Sequence, residues 1–311
     1  MKTISVITTF FNSSKYIYKS IFSVLKQKTD NINIDYILVD DCSTDDSLEY
    51  VRKIIDLKDD AYSEYINVRI LQTPNNLGCG GARKFGIDHA LGEYLMFLDS
   101  DDYYIESDFV SRAANDIQLY NADIIEYGVI YHKPDGTTIP NRIDRPFEIY
   151  NEDSINSKAL MLLFDKNVIK FNVWTKIIRK SLASEYPYSV ERTFEDVDTI
   201  PIWVSKANKI VVMPSCEINY SINNKSIIRE DPNKTRLGTL KSIARHFERF
   251  KSKRPVLMAM YKRAMMDFEV VLNGKCSDDP YFDMISSLNT YMLSYIFPNK
   301  YKEMTFNINK I

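Results

Sequence analysis

The stretch Leu95-Met-Phe-Leu-Asp-Ser-Asp-Asp102 runs four apolar residues straight into three aspartates within four positions. A short apolar run bounded by polar residues reads as a buried strand. Carboxylates crowded this closely repel one another, which raises the question of what a cluster at the end of a buried strand faces.

The surrounding chain repeats the pattern. Ile4 to Thr9 is apolar and β-branched, a predicted buried strand. Asn12-Ser-Ser14 supplies cap residues, and Tyr16 to Gln27 carries Ile17, Ile21, Val24 and Leu25 on one helical stripe. Tyr36 to Val39, Val68 to Leu71, Tyr94 to Leu98 and Ile124 to Ile130 are further predicted strands. Helices are predicted through Leu48, Val51, Ile54 and Ile55, near Ala82 to Ala90, and over 106–119. Strands alternating with helices at this spacing imply βαβ units and a mainly parallel, doubly wound α/β sheet flanked by helices. In such sheets ligands bind beyond the carboxyl ends of the strands. Thr8-Thr9, Asp40-Asp41 and Asp99-Ser100-Asp101-Asp102 all fall there, so the aspartates are expected to line a cleft.

From about residue 131 the pattern changes. Lys133-Pro-Asp-Gly-Thr137 is a hairpin signal. A helix over 152–164, a strand-like run from Val173 to Ile178, a helix over 196–206 and two short strands around Val211 and Ile218 follow. Beyond Asp231-Pro232 the chain reads as helical to about 295. The expected organisation is a domain at 1–230, divided near 130, and a C-terminal helical extension at 231–311.

The 311 residues include 45% hydrophobic and 26% charged side chains, a balance that excludes disorder. A net charge of −2 gives no general affinity for polyanions, and nucleic acid is not an expected partner. Cys42, Cys79, Cys216 and Cys276 form no C-x-x-C pair. With no secretory signal in the opening residues, they read as reduced thiols in a cytoplasmic protein. No window approaches the ~18 apolar residues of a membrane span. The segment Lys241 to Arg263 is basic, with Phe247, Phe250, Leu257, Met258 and Tyr261 interleaved. Such a surface suits peripheral contact with an anionic membrane, at the inner face, or equally a solvated face of a helical appendage or an oligomer contact.

The aspartates 99, 101 and 102 suit a hard divalent cation such as Mg²⁺ or Mn²⁺, which keeps positions open for substrate phosphates. On spacing alone, a solvated acidic turn capping the helix near Glu106 fits as well. An EF-hand does not fit, because its glycine at loop position six and glutamate at twelve are missing. Asp40-Asp41-Cys-Ser-Thr44 reads as a helix cap, or as a carboxylate placed to accept a hydrogen bond from a nucleobase or ribose. Gly78-Cys-Gly-Gly-Ala-Arg83 is no dinucleotide fingerprint, since that motif follows the first strand directly. His89, His132 and His246 are scattered and carry no expected catalytic role.

Taken in order, five segments of the first 230 residues resemble family 2 of the glycosyltransferases, GT-A fold enzymes that use nucleotide-diphosphate sugars. They are ISVITTFFNSSKYIYKSIFSVLKQ, ILVDDCSTDDS, NNLGCGGARKFGIDHALGEYLMFLDSDD, NVWTKIIRKSL and FEDVD. The resemblance implies that Thr9 and Phe10 contact the nucleotide and that Asp41 reads the base, usually uracil. It places Arg83 near base and diphosphate, although Lys84 stands where the family has asparagine. Asp99, with Ser100, falls on the ribose side of the D-x-D motif. By the same resemblance Asp101 is the metal ligand, with Asp102 either assisting it or only capping a helix, and Glu195-Asp196 is the acidic pair whose aspartate is usually the catalytic base. The implied reaction is metal-dependent (Mn²⁺ or Mg²⁺), inverting transfer from a UDP-sugar. The implied acceptor is a glycan or lipid-linked hydroxyl, in cell-surface or capsular polysaccharide synthesis. Two alternatives stay open: a sugar nucleotidyltransferase, and a catalytically inactive carbohydrate-binding or scaffold protein on the same fold.

Overall fold

The computed structural model describes residues 2–29, 32–57, 63–133, 135–141, 147–151, 158–165, 168–185, 188–190, 194–222, 232–273 and 282–297. Its first half is a parallel sheet in the order β3-β2-β1-β4, formed by Lys2–Phe10 (β1), Ile32–Asp40 (β2), Ile66–Gln72 (β3) and Tyr94–Phe97 (β4). The β-branched runs that signal these strands are buried, as continuous apolar strands between helical layers must be. The intervening helices are α1 (Ile17–Leu25), α2 (Ser47–Asp56) and α3 (Gly78–His89). Helix α3 lies so close to the sheet that a Cβ on Gly86 would stand 2.6 Å from Cγ2 of Ile7.

The second half turns the sheet mixed. After β5 (Tyr103–Tyr104) and α4 (Phe109–Tyr120) comes β6 (Ile124–His132), whose hairpin partner β7 (Thr138–Asn141) lies across the expected turn, with Gly136 at φ +81°. The strand β8 (Glu148–Asn151) and helix α5 (Leu160–Phe164) follow. Residues 152–157 of the predicted helix lie outside the described residues. The run from Val173 divides into a 3-10 turn (Val173–Thr175) and β9 (Lys176–Arg179), which enters antiparallel between β4 and β6. Helices α6 (Lys180–Glu185) and α7 (Glu195–Lys206) precede β10 (Lys209–Ser221). The two expected short strands are thus one 13-residue strand, with register irregularities between Val212 and Ile218. Pro214 sits in that gap, where it has no N–H to give the ladder.

The expected helical run beyond Asp231 is α8 (Pro232–Arg249), α9 (Arg254–Asn273) and α10 (Phe282–Ile296). Phe247, Phe250 and Leu257, interleaved with the basic residues, are buried. They form the helices' own core, and Tyr261 gives its hydroxyl to Asn289. Met258 is the exposed member of the set. The apolar interleaving therefore serves packing and offers little to a bilayer. Among the described residues no helix is long and apolar enough to cross a membrane.

Register brings the polar strand ends together. Phe10 stands opposite Asp40, Asp40 opposite Gln72, and Ile7 opposite Phe97, so Asp99 emerges at the same edge. At the other end of the sheet Asp35 is closed off by a bidentate Arg69 and by Ser5. The carboxylates at the carboxyl edge have a different environment.

Candidate active site

Two crossing loops form the floor of the edge. Asn12, at φ +51°, accepts from the backbone N–H of Thr44 at 2.8 Å and of Asp45 at 3.2 Å. Asp40 is held by the Ser43 N–H and by Gln72. Buried Asp41 accepts from the Thr73 hydroxyl and from the N–H groups of Leu77 and Gly78, at 2.8–2.9 Å. Its carboxylate thereby satisfies the amide donors that open α3. A carboxylate offers about four lone-pair sites, so roughly one remains for a ligand. Thr9 is half-buried at the end of β1, while the ring of Phe10 lies in the core and Phe11 is the exposed aromatic. Lys84 turns away to an ion pair with Asp88.

Of the three strand-end aspartates, Asp99 meets Arg83. This guanidinium is 4% exposed and reaches Asp99 Oδ1 at 2.6 Å through Nη2. Its Nη1 reaches Glu195 at 2.5 Å, Asp196 Oδ1 at 3.3 Å and the Tyr188 hydroxyl at 3.1 Å. One cation thus joins the strand-end cluster to an acidic pair more than ninety residues away in sequence. Ser100 bonds to Ser13, tying the cluster to the first loop. Asp102 is fully buried. Its Oδ1 accepts from the Ser221 N–H at 2.8 Å, and its Oδ2 has no partner among the described residues. Burial and the charge of Asp99 push the Asp101 carboxyl up to about 6, and the same causes, with Asp101 added, raise Asp102.

Glu195 and Asp196 open α7, where acids favour the first turn. Glu195 is buried, and burial followed by the neighbouring Asp196 charge lifts its pKa to about 7 despite Arg83. Burial raises Asp196 too, against Arg83 and the Tyr188 hydroxyl, which lower it. Asp196 Oδ1 accepts from Tyr188, and Oδ2 accepts from the Val173 N–H at 3.3 Å. The Asp196 side chain is 15% exposed against 9% for Glu195, so Asp196 is the more accessible acid. Tyr188 and the Val173 amide are site members that the sequence reading missed. A tyrosine in a loop carries no signal by type, and a backbone N–H carries none at all.

Comparison with known proteins agrees with the motif order. The profile described as "Glycosyl transferase family 2" matches residues 5–186. The chain belongs to glycosyl transferase family 2. It is 30% identical over 233 residues to glycosyltransferase GlyG of Streptococcus pneumoniae, spanning 73% of each chain. It is 31% identical over 220 residues to the poly(ribitol-phosphate) beta-N-acetylglucosaminyltransferase TarP of Staphylococcus aureus, spanning 63% of this chain and 62% of that protein. The crystal structure of S. aureus TarS 1–349 in complex with UDP superposes with a TM-score of 0.58 at 22% identity, covering 95% of this chain and 91% of that one. That likeness fixes the GT-A fold.

Within this glycosyltransferase fold, the donor set at the strand end suits a hard cation. Among the described residues no three acidic, thiol or imidazole groups converge as a ready-made metal site. Mg²⁺-type sites generally take only one or two carboxylates and complete themselves with substrate phosphates. Asp101 and the unpartnered, buried oxygen of Asp102 are of that kind.

Proposed function

We propose that this family 2 enzyme transfers a sugar, with inversion, from a UDP-sugar to a hydroxyl of a cell-surface glycan or lipid-linked acceptor. One observation carries the reading. Arg83 brackets Asp99, at the strand end, and the Glu195–Asp196 pair across a single guanidinium, so the proposed donor-side and base-side acids meet at one point. The relatives support the donor class, since TarS is solved with UDP and with UDP-GlcNAc.

In this reading Thr9, Phe10 and Asp41 shape the nucleotide end, and Asp99, Ser100 and Arg83 lie along ribose and diphosphate. Asp101 and Asp102 are the residues that would hold Mn²⁺ or Mg²⁺, whose chemistry is to neutralise charge on the leaving diphosphate. Asp196 takes the proton of the acceptor hydroxyl, and attack opposite the leaving group inverts the anomeric centre. Glu195, protonated more readily, orients Arg83 and its neighbour.

Two measurements test this. Calorimetry with UDP, GDP and their sugars, with and without Mn²⁺, should show metal-dependent binding of UDP compounds. Release of UDP from UDP-GlcNAc or UDP-glucose should follow. Tight UDP binding with no release from any donor, acceptor mixtures included, would favour the inactive binding protein. Release of pyrophosphate from a sugar phosphate and UTP would favour the nucleotidyltransferase.

A further inference from the structure

Phe194, immediately before the acidic pair, takes φ +64° and ψ +19°. A left-handed backbone is unfavourable for a bulky side chain and persists only where its surroundings impose it. The surroundings here are helix α8. A Cβ on Gly238 would lie 2.0 Å from Cε2 and 2.3 Å from Cδ2 of the Phe194 ring, so the ring rests against helix backbone where a glycine leaves room. On the same helix, Arg245 grips Asp198 through Nε at 3.0 Å and Nη2 at 2.5 Å. Buried His246 donates through Nε2 to the Val197 carbonyl at 2.9 Å. Residues 194, 197 and 198 are each held by α8, and residues 195 and 196 lie between them.

We propose that α8 belongs to the catalytic machinery, with Gly238, Arg245 and His246 as positioning residues that fix the first turn of α7. Arg83, Tyr188 and the Val173 N–H hold the Asp196 side chain from the sheet side. The backbone beneath it is clamped from the C-terminal helices. This inference rests on the proposed role of Asp196 as base. It makes the helices after residue 231 a support for the chemical step. Donor binding is assigned to β1, β2, β4 and α3, so loosening α8 should slow transfer while leaving nucleotide affinity in place.

The test uses the full chain with Gly238→Ala, Phe194→Ala, Arg245→Ala and Arg245→Lys, and with Gly238→Ala combined with Phe194→Ala. UDP affinity is read by calorimetry, and kcat and KM by UDP release from UDP-GlcNAc and UDP-glucose across pH. Helix propensity alone makes Gly238→Ala neutral or stabilising. A positioning role instead predicts kcat lower by about tenfold or more, with KM and UDP affinity within about twofold. Arg245→Lys should recover part of the loss of Arg245→Ala, and the double variant should lose less than the two single changes multiplied. Should Gly238→Ala fail to fold, the half-exposed Arg245 pair decides. Wild-type kcat in both Gly238→Ala and Arg245→Ala overturns the proposal, as does a loss of kcat matched by loss of UDP binding. A wild-type protein that binds UDP but never releases it overturns the function above. Hydrogen exchange at amides 194–198 then judges the clamp: faster exchange in the variants supports it, unchanged protection overturns it.

Discussion

Replacing Asp196 by asparagine keeps the side chain's shape and removes its basicity. Oδ1 meets two donors, the Arg83 guanidinium and the Tyr188 hydroxyl, whereas Oδ2 meets one, the Val173 N–H at 3.3 Å. The new NH₂ group therefore settles on the Oδ2 side and sacrifices one long hydrogen bond, a loss of about 1 kcal/mol. Against it, Glu195 is relieved of its neighbour's charge, the second largest cause of its raised pKa. Thermal stability should thus change by no more than roughly 2–4 °C. The rate is different. A positioned general base contributes about 10²–10⁴-fold, which is roughly 3–5 kcal/mol of barrier. The expected result is unchanged UDP affinity and donor KM with kcat lower by that factor. Wild-type kcat/KM should fall on the acid side, where Asp196, its pKa raised by burial, takes up a proton and can no longer act as base. This acid limb should vanish from the residual activity of Asp196→Asn. Glu195→Gln should cost about tenfold or less, through Arg83 orientation. Steady-state UDP release across pH, with calorimetry for binding, checks each statement. Near-normal turnover in Asp196→Asn beside collapse in Glu195→Gln would transfer the base to Glu195 and refute the assignment.

Asp101→Asn should fold normally and lose Mn²⁺-dependent UDP binding, measured by calorimetry with and without EDTA; unchanged metal-dependent affinity would exclude Asp101 as ligand. His246 is held neutral by burial, at about 4, with Arg249, Asp198 and Arg245 as the charged groups acting on it. Because its folded pKa is depressed below the unfolded 6.5, its contribution is complete above pH 6.5 and is lost as pH falls towards 4. That is about 2 kcal/mol between pH 7 and pH 5, and His246→Leu should remove this part of the acid sensitivity in urea titrations. Cosedimentation with anionic vesicles should be weak and abolished by salt, since Phe247, Phe250 and Leu257 are buried. Binding that survives about 0.5 M salt, where charges are screened within a few ångströms, would require an apolar insertion that this packing does not provide.

Most of the first half of the chain was legible because its signals are local. An apolar β-branched run makes a buried strand whatever it pairs with, so β1 to β4 and the placing of Asp41 and Asp99 at one edge follow from alternation alone. The second half was less legible because β10 is defined by its neighbours. Pro214 looks like a boundary between two strands, yet the ladder to β6 resumes beyond it. Nor does spacing reveal that Phe10 is the buried aromatic and Phe11 the exposed one, which follows from how β1 meets α1.

The opening question, what three crowded aspartates face, has an answer that no window of sequence contains. The resemblance implied a place near base and diphosphate for Arg83 and a base-bearing acidic pair at Glu195–Asp196, but their coupling is a property of the third dimension. With Asp99, Glu195 and Asp196 around one buried guanidinium, acids outnumber the cation that holds them. Burial first, and then the neighbouring Asp196 charge, pushes the Glu195 pKa up to about 7 against the pull of Arg83. An arrangement built only for stability would gain by replacing one acid with an apolar side chain, since buried ion pairs seldom return their desolvation cost. Keeping all three around one guanidinium fits the proposed reaction, in which a diphosphate, a divalent cation and an acceptor proton would meet at this edge of the sheet.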